Sequence, residues 1–144
     1  MNATRQFSAL FLGAAIALAA APATAQTVGE ILDKGGQKLD AAAARAIVPG
    51  VTFTGTNAAG FVGKTEFKAD GTVAASGTRP SDNRSNSGSG TWSVDDSGKV
   101  CSKIQWNGGG TGGACNYWFK QGEDYYTAQS DARDQAAVKR AVPK

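Results

Sequence analysis

The period of apolar and polar positions changes twice along this chain. From Phe7 to Ala21 the residues are almost all apolar, with Ala and Leu dominant. After Gln26 the spacing becomes helical. Thr27-Val-Gly-Glu30 has the spacing of a capping box, and Val28, Ile31 and Leu32 then share one face. Gly35-Gly36 interrupts this helix, and Asp40 is placed to cap a second one in which Leu39, Ala42, Ala43, Ala46 and Ile47 follow a single stripe. Pro49-Gly50 ends it.

From Val51 onward the period is two. Val51–Thr56, Phe61–Lys68, Thr72–Thr78 and Gly90–Asp95 read as strands, with Asp70-Gly71 as a short hairpin turn and Phe53, Phe61, Phe67, Trp92 and Val94 as the inward residues. Asp96-Ser-Gly98 then turns the chain into Lys99–Trp106, a glycine-dense connection and Ala114–Phe119. Asp124–Ala128 makes a further strand after Gln121-Gly122. Both faces of the Lys99–Phe119 hairpin carry large apolar groups, so either it lies between the β interior and the helical lead, or one aromatic row is exposed for binding. Arg79–Ser89 is polar, rich in Ser and Gly and without period, and reads as a mobile loop. The segment from Ser130 onward reads as a polar tail, either a short helix or frayed chain.

The expected fold is therefore mainly β: a small antiparallel barrel or sandwich of about seven strands, preceded by a short helical segment. Its parts are a leader at residues 1–25, a helical lead at 26–50, the β domain at 51–129 and the tail at 130–144. Arg5, the apolar run and Ala23-Thr-Ala25 give the leader the form of a secretory signal peptide cut after Ala25. The run is short for a bilayer span, so no membrane span is expected after cleavage.

Export changes the reading of the two cysteines. Disulfides persist in periplasmic and secreted proteins, and an antiparallel register brings Cys101 and Cys115 opposite one another, so one bridge is expected. A metal pair fits poorly, because the spacing is not Cys-x-x-Cys and the chain has no histidine.

Removal of the leader leaves 119 residues, with 14 basic against 12 acidic side chains scattered among one another. This nearly neutral chain lacks the basic stripe of a nucleic-acid binder. The absence of histidine excludes Ser-His and Cys-His nucleophile systems and imidazole metal sites. Gly108-x-Gly110-x-x-Gly113 has the letters of a dinucleotide fingerprint, but a strand pattern follows it where a helix is required. Asp82 to Asn86 alternates oxygen ligands, yet Arg84 stands where a calcium loop needs another oxygen. No metal and no cofactor is expected.

The leader, the helix ending in Ile47-Val-Pro-Gly50, and the series Thr54-Gly55, Phe67-x-x-Asp70-Gly71-Thr72, Gly90-Thr-Trp92, Gly98-Lys-Val-Cys101 and Cys115 resemble a group of small exported proteobacterial proteins classed as domains of unknown function. The resemblance covers roughly Thr27 to Ala128. It implies a lipocalin-like or related small β-barrel and brings no catalytic residues.

Two functions of different class follow. The first is a non-enzymatic periplasmic or secreted binding protein for a small apolar or amphipathic ligand, or for an envelope partner protein. Trp106, Tyr117, Trp118 and Tyr126 would make the contacts, with Arg79 or Arg84 as polar anchor. The second is an envelope hydrolase using two carboxylates from Glu66, Asp70, Glu123 and Asp124.

Overall fold

A computed structural model describes residues 26–56 and 61–140. The proposed leader lies outside the described residues. The elements in order are β1 (Gln26–Thr27), α1 (Val28–Asp33), β2 (Gln37–Lys38), α2 (Ala41–Ile47), β3 (Thr52–Thr56), β4 (Val62–Phe67), β5 (Thr72–Arg79), β6 (Arg84–Val94), β7 (Val100–Trp106), β8 (Thr111–Gln121), β9 (Asp124–Ala128) and β10 (Ala136–Arg140).

Both helices start where their capping residues stand. Thr27 accepts from the Glu30 amide at 3.2 Å while Glu30 accepts from the Thr27 amide at 2.9 Å, and the Asp40 carboxylate accepts from the Ala43 amide at 2.7 Å. Helices of 6 and 7 residues are too short to stand alone, so packing holds them.

The strands form one antiparallel sheet in the order β1-β10-β9-β8-β7-β6-β5-β4-β3, curled into a half-barrel. β2 takes up the edge of β8 at Phe119 and Lys120, beyond the point where β7 ends its pairing. This is ten strands among the described residues against about seven expected: β1, β2 and β10 are additional, and one expected strand is longer.

The longer strand takes in most of the segment read as a mobile loop. Arg84–Ser89 is the first half of the 11-residue strand β6, paired residue by residue with β5. Only residues 80–83 turn, with Asn83 at φ +54°. Serine, asparagine and glycine fill both faces here, so there is no apolar contrast for a period to show. The additional strands lie toward the ends of the described chain. The expected polar tail carries β10, which buries Ala137 and pairs with both β9 and β1, and β1 and β2 are too short to register in a sequence pattern.

The sheet buries apolar groups on both faces. Inside the curl, Val51, Phe67, Val73, Ala75, Val100, Ile104 and Trp118 pack with Leu39 and with Ala44 and Val48, so α2 closes one end of the half-barrel. On the outer face Phe119, Tyr126, Ala128 and Ala137 pack against Val28 and Ile31 of α1. The open question about the cysteine hairpin is thus answered by β8, whose Trp118 is 1% exposed and faces in while Phe119 is 0% exposed and faces out. The helical lead is two helices divided between the two faces.

Of the five inward residues expected, Phe67 is buried, while Phe53, Trp92 and Val94 are half-buried against the same core. Phe61 belongs to neither cluster and stands under the Arg79 guanidinium, 5.3 Å from its ring centre. Cys101 and Cys115 are register partners and form a disulfide, closing a ring over a separation of 14 residues. Such a ring stabilises the fold by about 3 kcal/mol in the chain-entropy model.

Candidate functional site

The end of the half-barrel opposite α2 is shaped by glycine. Gly55, Gly63 and Gly77 are register partners on β3, β4 and β5, and Asn86 of β6 continues the row. They lie on the inward face, two residues beyond the row of Phe53, Thr65 and Ala75. A Cβ at Gly63 would meet the Ser76 carbonyl oxygen and the Gly77 Cα at 2.0 and 2.5 Å, so the strands approach here more closely than any side chain allows. This end of the sheet borders a groove of about 970 Å³.

Most of its lining side chains, Thr54, Val62, Ser76, Thr78, Ser85 and Ser87, lie on the outer face of the sheet, opposite the glycine row, with Phe61 and the amides of Asn86 and Asn107 completing it. Among the described residues, the charged ones lining it are Lys64 and Arg84. Neither cation forms an ion pair among the described residues. Arg79, by contrast, is tied at the rim: its Nε and Nη2 donate to the two Asp82 carboxylate oxygens at 3.0 and 2.6 Å. That bidentate pair, with the Arg84 amide donating to the same carboxylate, holds Asp82 down to about 2 and raises Arg79.

The predicted contact residues do not converge. Trp118 lies in the inner core, touching Phe53 at 4.7 Å and Tyr125 at 6.3 Å between ring centres. Tyr126, 7% exposed, lies under α1 on the outer face. Tyr117 shares that face, half-buried, with Lys38 and Lys99 over its ring at 4.7 and 4.9 Å. Trp106 is half-buried against the inner core, one residue from Asn107 of the groove. Arg84 alone of the six lines the groove.

The carboxylates considered for hydrolysis are spread over the sheet. Asp70 accepts from the Thr72 amide and hydroxyl at 2.9 and 2.6 Å, which holds it below the usual carboxylate range and stabilises the β4–β5 turn. Asp124 is paired with Lys139 at 2.8 Å. Glu66 borders an adjoining hollow of about 280 Å³ that shares Lys64, Ser76, Ser87 and Asn107 with the groove. Glu123 belongs to the turn between β8 and β9. The glycines of the apparent dinucleotide fingerprint span the β7–β8 turn and the start of β8, with strand on both sides. Among the described residues no group of three or more Cys, Asp or Glu gathers where a metal would bind.

Sequence reasoning passed over Gly55, Gly63, Gly77 and Asn86. A glycine in the middle of each of three successive alternating runs was the available signal, since glycine inside a strand marks a bend or a close approach.

Among curated proteins and solved structures, none matches this chain. A family model, DUF995, described as a protein of unknown function, matches residues 14–137. With most of its length matched, including every strand that shapes the groove, the chain belongs to the DUF995 family.

Proposed function

We propose that this is an exported, non-enzymatic binding protein that takes a small amphipathic ligand in the groove bordered by β3 to β6, at the end of the half-barrel away from α2. The observation that carries the reading is the groove itself, about 970 Å³ of space at the open end of a rigid sheet. Its size is that of small-molecule sites, and its mixture of Phe61 and Val62 with hydroxyls and amides suits a ligand with one apolar and one polar part. Export rests on the form of residues 1–25 and is supported by the Cys101–Cys115 disulfide, a bond that persists in oxidising compartments.

The test is to extract the native protein from the periplasm or medium and identify by mass spectrometry what travels with it. Tryptophan fluorescence is followed as amphipathic compounds are added, with Trp106 beside the groove as reporter. The expected result is a chain beginning at Gln26 with one disulfide, a co-purifying small molecule, and a saturable fluorescence change. Turnover of a glycan or ester library that Glu66→Gln abolishes, with no bound molecule, would replace this reading by the hydrolase one.

A further inference from the structure

The chain contains one Asn-Gly pair, Asn107-Gly108, in the exposed turn between β7 and β8. An asparagine followed by glycine can lose its side-chain amide without an enzyme, because glycine has no Cβ to shield its backbone nitrogen. That nitrogen attacks Asn107 Cγ, a Cγ–N bond forms, and Nδ2 leaves as ammonia, carrying away the proton of the Gly108 amide. Water then opens the cyclic imide at one of its two carbonyls and leaves aspartate or isoaspartate at this position. The other asparagines precede Ala, Arg, Ser or Tyr, whose side chains hinder the attack.

In the folded chain both nitrogens of this reaction are held by successive residues of β6. The leaving nitrogen, Asn107 Nδ2, donates to Ser87 Oγ at 2.8 Å, and the attacking nitrogen, that of Gly108, donates to Asn86 Oδ1 at 3.3 Å. Two backbone bonds fix the turn around them: the Asn107 amide donates to the Ser87 carbonyl at 2.8 Å and the Gly109 amide to the Trp106 carbonyl at 3.0 Å. Ring closure has to release Gly108 from Asn86 and turn the Asn107 side chain away from Ser87, so it proceeds from an opened turn.

We infer that Asn107 is a deamidation site and that Asn86 and Ser87 form the clamp that sets its rate. Loss of the amide puts a carboxylate beside Ser87, on a wall shared by the groove and the adjoining hollow, where Lys64 also stands. The isoaspartyl form also lengthens the backbone by a methylene inside the turn. This chemistry belongs to the turn and holds whether or not the groove takes a ligand.

The test incubates the disulfide-bonded protein at mildly alkaline pH, folded in buffer or unfolded in guanidinium chloride, and follows each asparagine by peptide mass spectrometry. In the unfolded chain Asn107 should convert first. In the folded chain it should convert about thirtyfold more slowly, the factor that two net hydrogen bonds represent. Ser87→Ala should speed conversion in the folded chain about fivefold, the share of one bond, while Ser87→Thr, which keeps the hydroxyl, should stay near the native rate. Gly108→Ala should abolish the modification; its Cβ would lie 3.5 Å from Asn86, an ordinary contact. Conversion as fast in the folded chain as in the unfolded one, or equal rates in the native protein and Ser87→Ala, overturns the clamp. Faster conversion of another asparagine in the unfolded chain overturns the site. If Ser87→Ala fails to fold by circular dichroism, Asn86→Ala, which frees the Gly108 amide, takes its place with the same acceleration expected.

Discussion

Single charges on this molecule act mostly on the turns beside them. Asp82 joins the Arg79 guanidinium to the Arg84 amide and so fastens the β5–β6 turn at the rim of the groove. Its pKa falls from 3.8 to about 2, first because of the Arg79 hydrogen bond. A carboxylate lowered by folding contributes its stability above the unfolded value and loses it as pH drops through the folded one. Below about pH 4 the turn therefore starts to loosen, and the pair is gone below about pH 2. An NMR titration should show the Asp82 carboxyl carbon and the Arg84 amide moving with one midpoint near 2, and Arg79→Gln should bring that midpoint back toward 3.8. Both groups face solvent, so global stability should change little.

At the level of elements, the bend of β3, β4 and β5 depends on glycine where their backbones come closest. The sign of a substitution follows from what its Cβ would meet. At Gly63 that is backbone, the Ser76 carbonyl at 2.0 Å, which cannot move without breaking the β4–β5 ladder. Gly63→Ala should cost more than about 2 kcal/mol by urea denaturation, through backbone strain and lost pairing. At Gly55 the nearest atom is the end of the flexible Arg140 side chain at 3.4 Å, so Gly55→Ala should be tolerated within about 0.5 kcal/mol. Equal costs at the two positions would contradict the account of the bend. The helices are elements of a different kind: short and capped, each exists because a face of the sheet needs covering.

For the whole molecule the central residue is Trp118. Its ring touches Phe53 of β3 and Tyr125 of β9, and Phe53 in turn touches Phe67, which touches Trp92. This run of rings joins strands that are far apart in the hydrogen-bonded order, and with Arg140 on Phe53 it holds the curl together. Trp118→Ala should cost about 3–5 kcal/mol, a large part of the roughly 5–15 kcal/mol available to a domain of this size. Thermal unfolding followed in the near and far ultraviolet should shift as one transition. A loss below about 0.5 kcal/mol would show that the inner core does not couple the flanks.

The amino-acid sequence by itself determined what is local. Thr27 and Asp40 cap helices because a hydroxyl and a carboxylate reach amides three residues on, and the alternating Phe53, Phe67 and Val73 declare strands because period two separates the faces of a sheet. The partnership of Cys101 and Cys115 was legible for the same reason, as one hairpin sets its own register. Tertiary structure alone decided the rest. Residues 84–89 became strand because β5 offered pairing along the whole segment and β7 joined from Gly88, a non-local source of stability that leaves no mark in a run of small polar residues. Tyr117 and Trp118 were divided between two cores by the placement of α1 and α2 on opposite faces, which no period within β8 encodes. The groove itself is made of residues from four strands and a turn, brought together by the register of β3 to β6, which the pattern within any one strand does not encode.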